Sequence, residues 1–200
     1  VEKAKTRKVK IIQPAEVIST IKSNSNFISD IEYESGKKLQ IKSKLVIAAY
    51  GKQNILDKKL ERDFVTKKSN LNGVKFHLPN NLLKNSFNDE IRIYTDKELY
   101  CGMNQVSDTE MTVCFLENRK QSKIPSRERL IDVIISNKYF QKVFSDEAIE
   151  YIKSANIYGT GNIFFGKREV VENGIIMVGD AARVISPLAG DGIGMAMESA

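Results

Sequence analysis

The sequence predicts a mixed α/β chain, α+β in its middle, in which two pieces of one domain flank a second domain. Three observations predict it. Leu45-Val46-Ile47-Ala48-Ala49 and Gly174-Ile175-Ile176-Met177-Val178 are continuous apolar runs. Such runs read as strands buried on both faces, as in a parallel sheet. Between them, four short β-type runs follow one another with no helical stretch, which favours antiparallel pairing. Two helical patterns then lead into the second apolar run. The boundaries fall at residues 1–60, 61–165 and 166–200.

In chain order, the first fifty residues read as strands. Phe27, Ser29, Ile31 and Tyr33 alternate with Ile28, Asp30, Glu32 and Glu34, a period of two. Ser35-Gly36-Lys37-Lys38 is a turn signal, and Leu39-Gln40-Ile41 returns to complete a hairpin. The apolar run at 45–49 ends at Tyr50-Gly51, a sharp turn at a strand's carboxyl end, where ligands of open α/β sheets bind. The middle runs are residues 74–78, 91–95, 99–103 and 111–116, separated by Asn80-Asn81, Thr95-Asp96 and Ser107-Asp108. Ser126 is placed to cap a first helix, whose Leu130, Val133, Ile134 and Asn137 share a face. Ser145 is placed to cap a second, with Asp146 and Glu147 in the first turn, where the helix dipole favours negative charge. After Val178 come Gly179-Asp180, a loop with Ser186-Pro187, the triplet Gly190-Asp191-Gly192-Ile193-Gly194, and a helix start at Met195.

Composition sets bounds on function. With 42% hydrophobic and 28% charged residues, the 200-residue chain is an ordinary globular one. No apolar run approaches the roughly 20 residues of a membrane span. Net charge is +6, but Lys and Arg alternate with Glu and Asp throughout. A solvated basic surface, or one suited to a phosphate-rich cofactor, is expected rather than nucleic-acid binding. Cys101 and Cys114 make no disulfide framework and show no metal spacing, so reduced thiols in a cytoplasmic protein are expected. The lone histidine, His77, reads as a strand residue, with no Gly-x-Ser-x-Gly elbow to make it part of a triad. The chain has neither a starting Met nor an apolar leader, and it stops about two turns into its last helix. It is expected to be a fragment cut at both ends.

The chemistry concentrates in the last 25 or so residues. Asp180 stands where a strand ends, and a carboxylate there accepts from sugar or polyol hydroxyls. Ala181 and Ala182 are small enough to let a ligand approach the backbone. Gly190, Gly192 and Gly194 strip side chains from a helix start, whose unpaired N–H groups suit a pyrophosphate or an electron-rich carbonyl. The triplet half-matches the dinucleotide fingerprint. That fingerprint needs its glycines directly after the strand, and here about ten residues intervene, one a proline.

The stretch from Gly179-Asp180-Ala181-Ala182 through Pro187, Gly190, Gly192 and Ala196 resembles the second FAD-binding motif of the flavoprotein monooxygenase superfamily, which includes the geranylgeranyl reductases. The resemblance implies that Asp180 holds the ribityl chain of FAD and that Pro187 lies beside the isoalloxazine. It also implies that the N–H groups of Gly192 and Ile193 face the flavin pyrimidine carbonyl, stabilising negative charge on reduced flavin. A second likeness covers residues 45–54. The family usually has Asp-Gly there, with a serine three residues after the glycine; this chain keeps Gly51 but has Tyr50 and Asn54. In the family that motif supports the FAD pyrophosphate region and is linked to NAD(P)H use; the departures at Tyr50 and Asn54 count against direct reduction by a pyridine nucleotide, and NAD(P)H is kept as one candidate electron donor. A third covers Leu99-Tyr100-Cys101-Gly102-Met103-Asn104 and Thr112-Val113-Cys114, similar to substrate-domain strands of the reductase branch. There Tyr100 lines a substrate pocket, and Cys101 either faces the flavin or is a buried inert thiol.

The resemblance implies a para-hydroxybenzoate hydroxylase-like fold, part of a FAD/NAD(P)-binding Rossmann-like domain with an inserted antiparallel-sheet substrate domain. Residues 1–60 and 166–200 are then parts of the FAD-binding domain, and 61–165 the substrate domain. The Gly-rich first FAD motif does not occur in these 200 residues. The function expected is that of a FAD-dependent oxidoreductase, a monooxygenase or a reductase, acting on a small organic or lipid-like substrate. The other class is a degenerate, non-catalytic flavin-binding or scaffold module, which Tyr50 in place of the usual aspartate would mark.

Overall fold

The computed structural model describes residues 2–85, 89–120, 124–187 and 190–200. The chain divides into two compact units, residues 1–67 with 165–200, and residues 68–164. In chain order the first unit contributes α1 (Glu2–Thr6), β1 (Ala15–Ser23), β2 (Asn26–Tyr33), β3 (Lys38–Ser43), β4 (Ile47–Ala48) and α2 (Ile55–Lys59). The second holds β5 (Leu71–Pro79), β6 (Ile91–Asp96), β7 (Leu99–Ser107), β8 (Glu110–Asn118), α3 (Ser126–Ser136), α4 (Asp146–Ser154) and β9 (Ile157–Thr160). The chain returns to the first unit for β10 (Val171–Glu172), β11 (Ile175–Met177) and α5 (Gly192–Glu198).

In the first unit, β1, β2 and β3 form an antiparallel meander. The period-two pattern buries Phe27 and Ile31 on one side of β2, and Gly36 supplies the positive φ (80°) of the β2–β3 turn. The second sheet has the order β10-β11-β4. Here β4 and β11 run parallel, with Ile47 opposite Ile176 and Ala48 opposite Met177. The hairpin β10–β11 turns through Asn173 (φ 50°) and Gly174 (φ 83°), the Asn-Gly pair that suits a tight hairpin turn. Gly174 therefore belongs to the turn and not, as the apolar run implied, to the strand. A Cβ there would stand 3.3 Å from the Phe27 ring, so any side chain would crowd that ring in addition to straining φ.

Burial of the two apolar runs on both faces is not what the structure shows. Ala48, Ile175 and Met177 point into a core with Phe27, Leu56, Leu60, Ala181 and Ala182, while Leu45, Ile47 and Ile176 are exposed. Among the described residues β4 is the edge strand and only one face of the sheet is packed, so inward and outward positions alternate. The opening residues also differ from the strand reading, since α1 is a short helix with Lys3 and Lys5 in its last turn.

The second unit is one antiparallel sheet of order β6-β7-β8-β5-β9, so the four runs read from the sequence are all strands. Phe76, Leu78, Cys101, Met103, Met111, Val113 and Phe115 line one face. Leu130, Val133 and Ile134 of α3 and Ala148 and Ile152 of α4 cover it. The Phe140 ring sits at the centre, 5.2 Å from Tyr94, 5.6 Å from Phe115 and 6.1 Å from Phe144, in tilted and edge-on arrangements that favour aromatic contacts. Ser145 caps α4, its Oγ accepting from the Ala148 N–H at 3.1 Å. Ser126 does not cap α3: it is the first helical residue, after Pro125, and its Oγ accepts from Arg119 instead. Asn137 ends that helix rather than joining its buried face.

Phe140 is 1% exposed. Replacing it with alanine leaves a cavity among three rings and is expected to cost about 3–5 kcal/mol, with Phe140→Leu costing clearly less. Chemical denaturation of the two variants beside the parent checks this.

Candidate functional site

Because β4 and β11 are parallel, their carboxyl ends lie side by side in the first unit. There a cavity of about 600 Å³ opens. Ala49 and Gly51 border it from the end of β4, Gly179 and Asp180 from the end of β11, and Gly192 and Ile193 from the start of α5. Of the cofactor residues picked from the sequence, Gly51, Gly179, Asp180, Gly192 and Ile193 are thus brought together at strand carboxyl ends, where α/β folds place ligands, while Ala181, Pro187 and Gly190 do not line the cavity.

Three glycines, Gly51, Gly179 and Gly192, line this cleft, and Gly190 and Gly194 do not. A Cβ at Gly51 or Gly192 would meet nothing within 4 Å, so these positions leave open space. Gly51 (φ 82°) and Gly179 (φ 58°) turn the chain sharply just beyond the two strands. At Gly179 a Cβ would stand 3.4 Å from that of Ala196, which lets α5 pack against the turn. Ser199 secures it, accepting from the Gly179 N–H at 2.9 Å and donating to the Ala196 carbonyl at 2.8 Å. Among the described residues no side chain caps the start of α5.

Asp180 presents an exposed carboxylate on a 3-10 turn, Gly179–Ala181. Ala181 is 0% exposed, so its small side chain serves the core beneath the turn and not the approach of a ligand. Ala182 is buried beside it. Pro187 is exposed, and its carbonyl accepts from the Gly190 N–H at 3.2 Å. Leu188 and Ala189, within the loop expected to border a cofactor, lie outside the described residues.

Beneath the cleft lies a buried polar network that the sequence did not disclose. The Tyr50 hydroxyl donates to Asp57 Oδ1 at 2.6 Å. One terminal nitrogen of Arg62 donates to that same oxygen at 2.9 Å, to the Tyr50 hydroxyl at 3.0 Å and to the Ala181 carbonyl at 3.0 Å. Its other terminal nitrogen donates to the Glu169 carbonyl at 2.8 Å. Arg168 donates to the Lys52 carbonyl at 2.8 Å and the Asp180 carbonyl at 3.1 Å. Both guanidinium groups pack on the Phe64 ring, Arg168 at 3.8 Å and Arg62 at 5.0 Å from its centroid. The two arginines therefore staple the segment after β4 to the segment after β11.

Tyr50 and Asn54, which depart from the family pattern, both have structural duties. Asn54 caps α2, accepting from the Leu56 N–H at 3.0 Å while Asp57 accepts from the Asn54 N–H at 2.8 Å. That reciprocal capping box was legible as the spacing Asn54-x-x-Asp57. Arg62 and Arg168 carry no local signal, since their partners are carbonyls more than a hundred residues away in three cases. Burial, then the bond to Asp57, pushes the Tyr50 hydroxyl up from 10.0 to about 12.

In the second unit, Tyr100 and Cys101 point to opposite faces of β7. Cys101 is fully buried in the core, and that burial raises its thiol well above the ordinary value. It is the buried inert thiol of the two readings. Tyr100 is partly exposed on the outer face, its hydroxyl also raised by burial. His77 lies in β5 opposite Thr112, 3.7 Å from a Glu110 oxygen, and is a strand residue as expected. Among the described residues there is no cluster fit to hold a metal ion, and no helix is long and apolar enough to cross a membrane.

The network predicts two outcomes. Arg62→Met strands the Asp57 carboxylate, 2% exposed, and is expected to cost about 3–5 kcal/mol in denaturant unfolding. Tyr50 keeps its proton in the folded state where the unfolded chain has lost it. Stability is therefore expected to fall between pH 10 and about 12, and Tyr50→Phe should remove that part of the fall. Unfolding free energies of parent and variant across that range check the sign.

The FAD binding domain family matches residues 1–200. Comparison with curated proteins finds no match. Among solved structures, the chain is similar to a flavoprotein/dehydrogenase from Cytophaga hutchinsonii (TM-score 0.71, 16% identity), covering 98% of this chain and 48% of that one. It is similar to a flavin-dependent brominase (TM-score 0.71, 18% identity), covering 98% and 50%. It is also similar to a geranylgeranyl bacteriochlorophyll reductase-like protein from Thermoplasma acidophilum (TM-score 0.67, 18% identity), covering 92% and 45%. The chain thus spans about half the length of these structures, with the same mixed α/β flavoprotein fold. With its parallel strand ends, glycine turns and matched length, the chain belongs to the FAD binding domain family, whose cofactor is FAD.

Proposed function

We propose that the protein is a FAD-dependent oxidoreductase and that its first unit holds the ribityl and isoalloxazine half of the cofactor. The cleft carries this reading. It combines an exposed carboxylate at Asp180, backbone stripped of side chains at Gly51 and Gly192, and an apolar flank at Ile193 and Met197. Those features fit a ligand made of a polyol and a flat ring. When bound, FAD supplies the redox chemistry, and the chain supplies position and electrostatics. Asp180 accepts from the ribityl hydroxyls, Gly179 gives the turn that presents it, and Pro187 and the start of α5 border the ring. Residues 1–60 and 166–200 are on this reading the FAD-binding domain, and 61–165 the substrate domain.

The substrate is small, organic or lipid-like, and the outer face of the second unit's sheet, with Tyr100, is its wall. The likeness at residues 99–114 favours reduction or dehydrogenation over monooxygenation, with NAD(P)H as the candidate electron donor. The alternative is a non-catalytic flavin-binding or scaffold module, which Tyr50 at the usual aspartate position favours. A colourless full-length protein that releases no flavin on denaturation would support it.

Asp180→Ala in the full-length protein is expected to weaken FAD binding roughly ten- to a hundred-fold, the worth of a hydrogen bond to a charged acceptor. Flavin titration measures this, and an unchanged affinity would remove Asp180 from the ribityl site.

A further inference from the structure

Two guanidinium groups are buried against one phenyl ring beneath the cleft, and only one of them has a counter-ion. Arg62, 2% exposed, pairs with Asp57 at 2.9 Å. That carboxylate is fully engaged, since its oxygens also take the Tyr50 hydroxyl and the Asn54 N–H. Arg168 is 6% exposed. Among the described residues it has no carboxylate within ion-pair distance, only the carbonyls of Lys52 and Asp180, and its Nε is buried with no partner. One buried carboxylate thus serves two buried cations, and a net positive charge remains among the buried groups, with the exposed Asp180 carboxylate as its nearest further anion on the cleft.

Its location gives that charge a use. The two carbonyls that Arg168 holds belong to Lys52 and Asp180, residues next to Gly51 and Gly179, on the two lips of the cleft. A buried cation without a counter-ion is costly in the ligand-free protein. The same charge attracts an anion in the adjoining cleft, and does so more strongly than it would in water. Burial, then the neighbouring Arg62, depresses the basicity of Arg168, while Asp57, Tyr50 and the exposed Asp180 carboxylate oppose it, so its charge is felt by the groups on the cleft without being matched by a buried ion pair of its own.

We propose that Arg168 is an electrostatic positioning residue for the cofactor cleft, favouring bound FAD and favouring its reduced, anionic form more than its oxidised form. This rests on FAD occupying the first unit's cleft. Reduction adds two electrons and one proton to the flavin ring, leaving one extra negative charge, so a cation behind the cleft raises the midpoint potential. By linkage, a tenfold change in the ratio of affinities for the two forms is about 30 mV for a two-electron couple.

The test uses full-length holoprotein, reduced anaerobically with dithionite against a reference dye, alongside FAD titration. Arg168→Met removes the charge and is expected to weaken binding of reduced FAD about tenfold more than that of oxidised FAD, lowering the potential by about 30 mV. Arg168→Lys keeps the charge and is expected to keep the parent potential, even if affinity drops. Arg168→Gln keeps a donor for the carbonyls without the charge. It is expected to shift like Met, and it decides the matter if the Met variant does not fold. An unchanged potential in the uncharged variants, or an equal shift in Lys and Met, overturns the proposal in favour of a purely structural role. A parent protein that holds no FAD overturns the cofactor reading itself and this proposal with it.

Discussion

The parallel pairing of β4 with β11 is the contact on which the cleft of the first unit depends. It joins Ile47 and Ala48 to Ile176 and Met177 across most of the chain's length. Few ladder bonds hold it, so side chains must do much of the work. Ala48, Ile175 and Met177 contribute burial, and Phe27, Leu56 and Leu60 close over them. What the pairing achieves is geometric: two sharp glycine turns come to the same edge of the sheet and leave an opening between them.

Arg62 and Arg168 then fix that opening. Both bind backbone carbonyls rather than surface carboxylates, so they constrain chain path directly. Tyr50 is part of this frame. In the structure its hydroxyl bridges Asp57 and Arg62, donating to the carboxylate and accepting from the guanidinium, so the side chain is integrated in the frame.

Much of the architecture was legible in local sequence. Period-two alternation announced β2, short β-type runs between turn signals announced β5 to β8, and Ser145 announced its helix, because each depends on neighbours within a few residues. The Gly179-Asp180 turn and Gly192 of the glycine triplet announced the cleft for the same reason. What escaped depends on distance. Arg62 and Arg168 are unremarked basic residues until the fold brings carbonyls to them. One-sided burial of β4 follows from what packs on a sheet and not from the hydrophobicity of its strand. Ser126 lost its cap to Pro125 and Arg119, a competition that propensity alone does not show.

The proposed place of flavin is between the carboxyl ends of β4 and β11. The most direct measurement is an experimental structure of the full-length protein with FAD. It should show the ribityl chain within hydrogen-bond distance of the Asp180 carboxylate and the ring against the start of α5. Flavin bound elsewhere, or an Asp180 carboxylate facing only solvent while flavin is present, would contradict it.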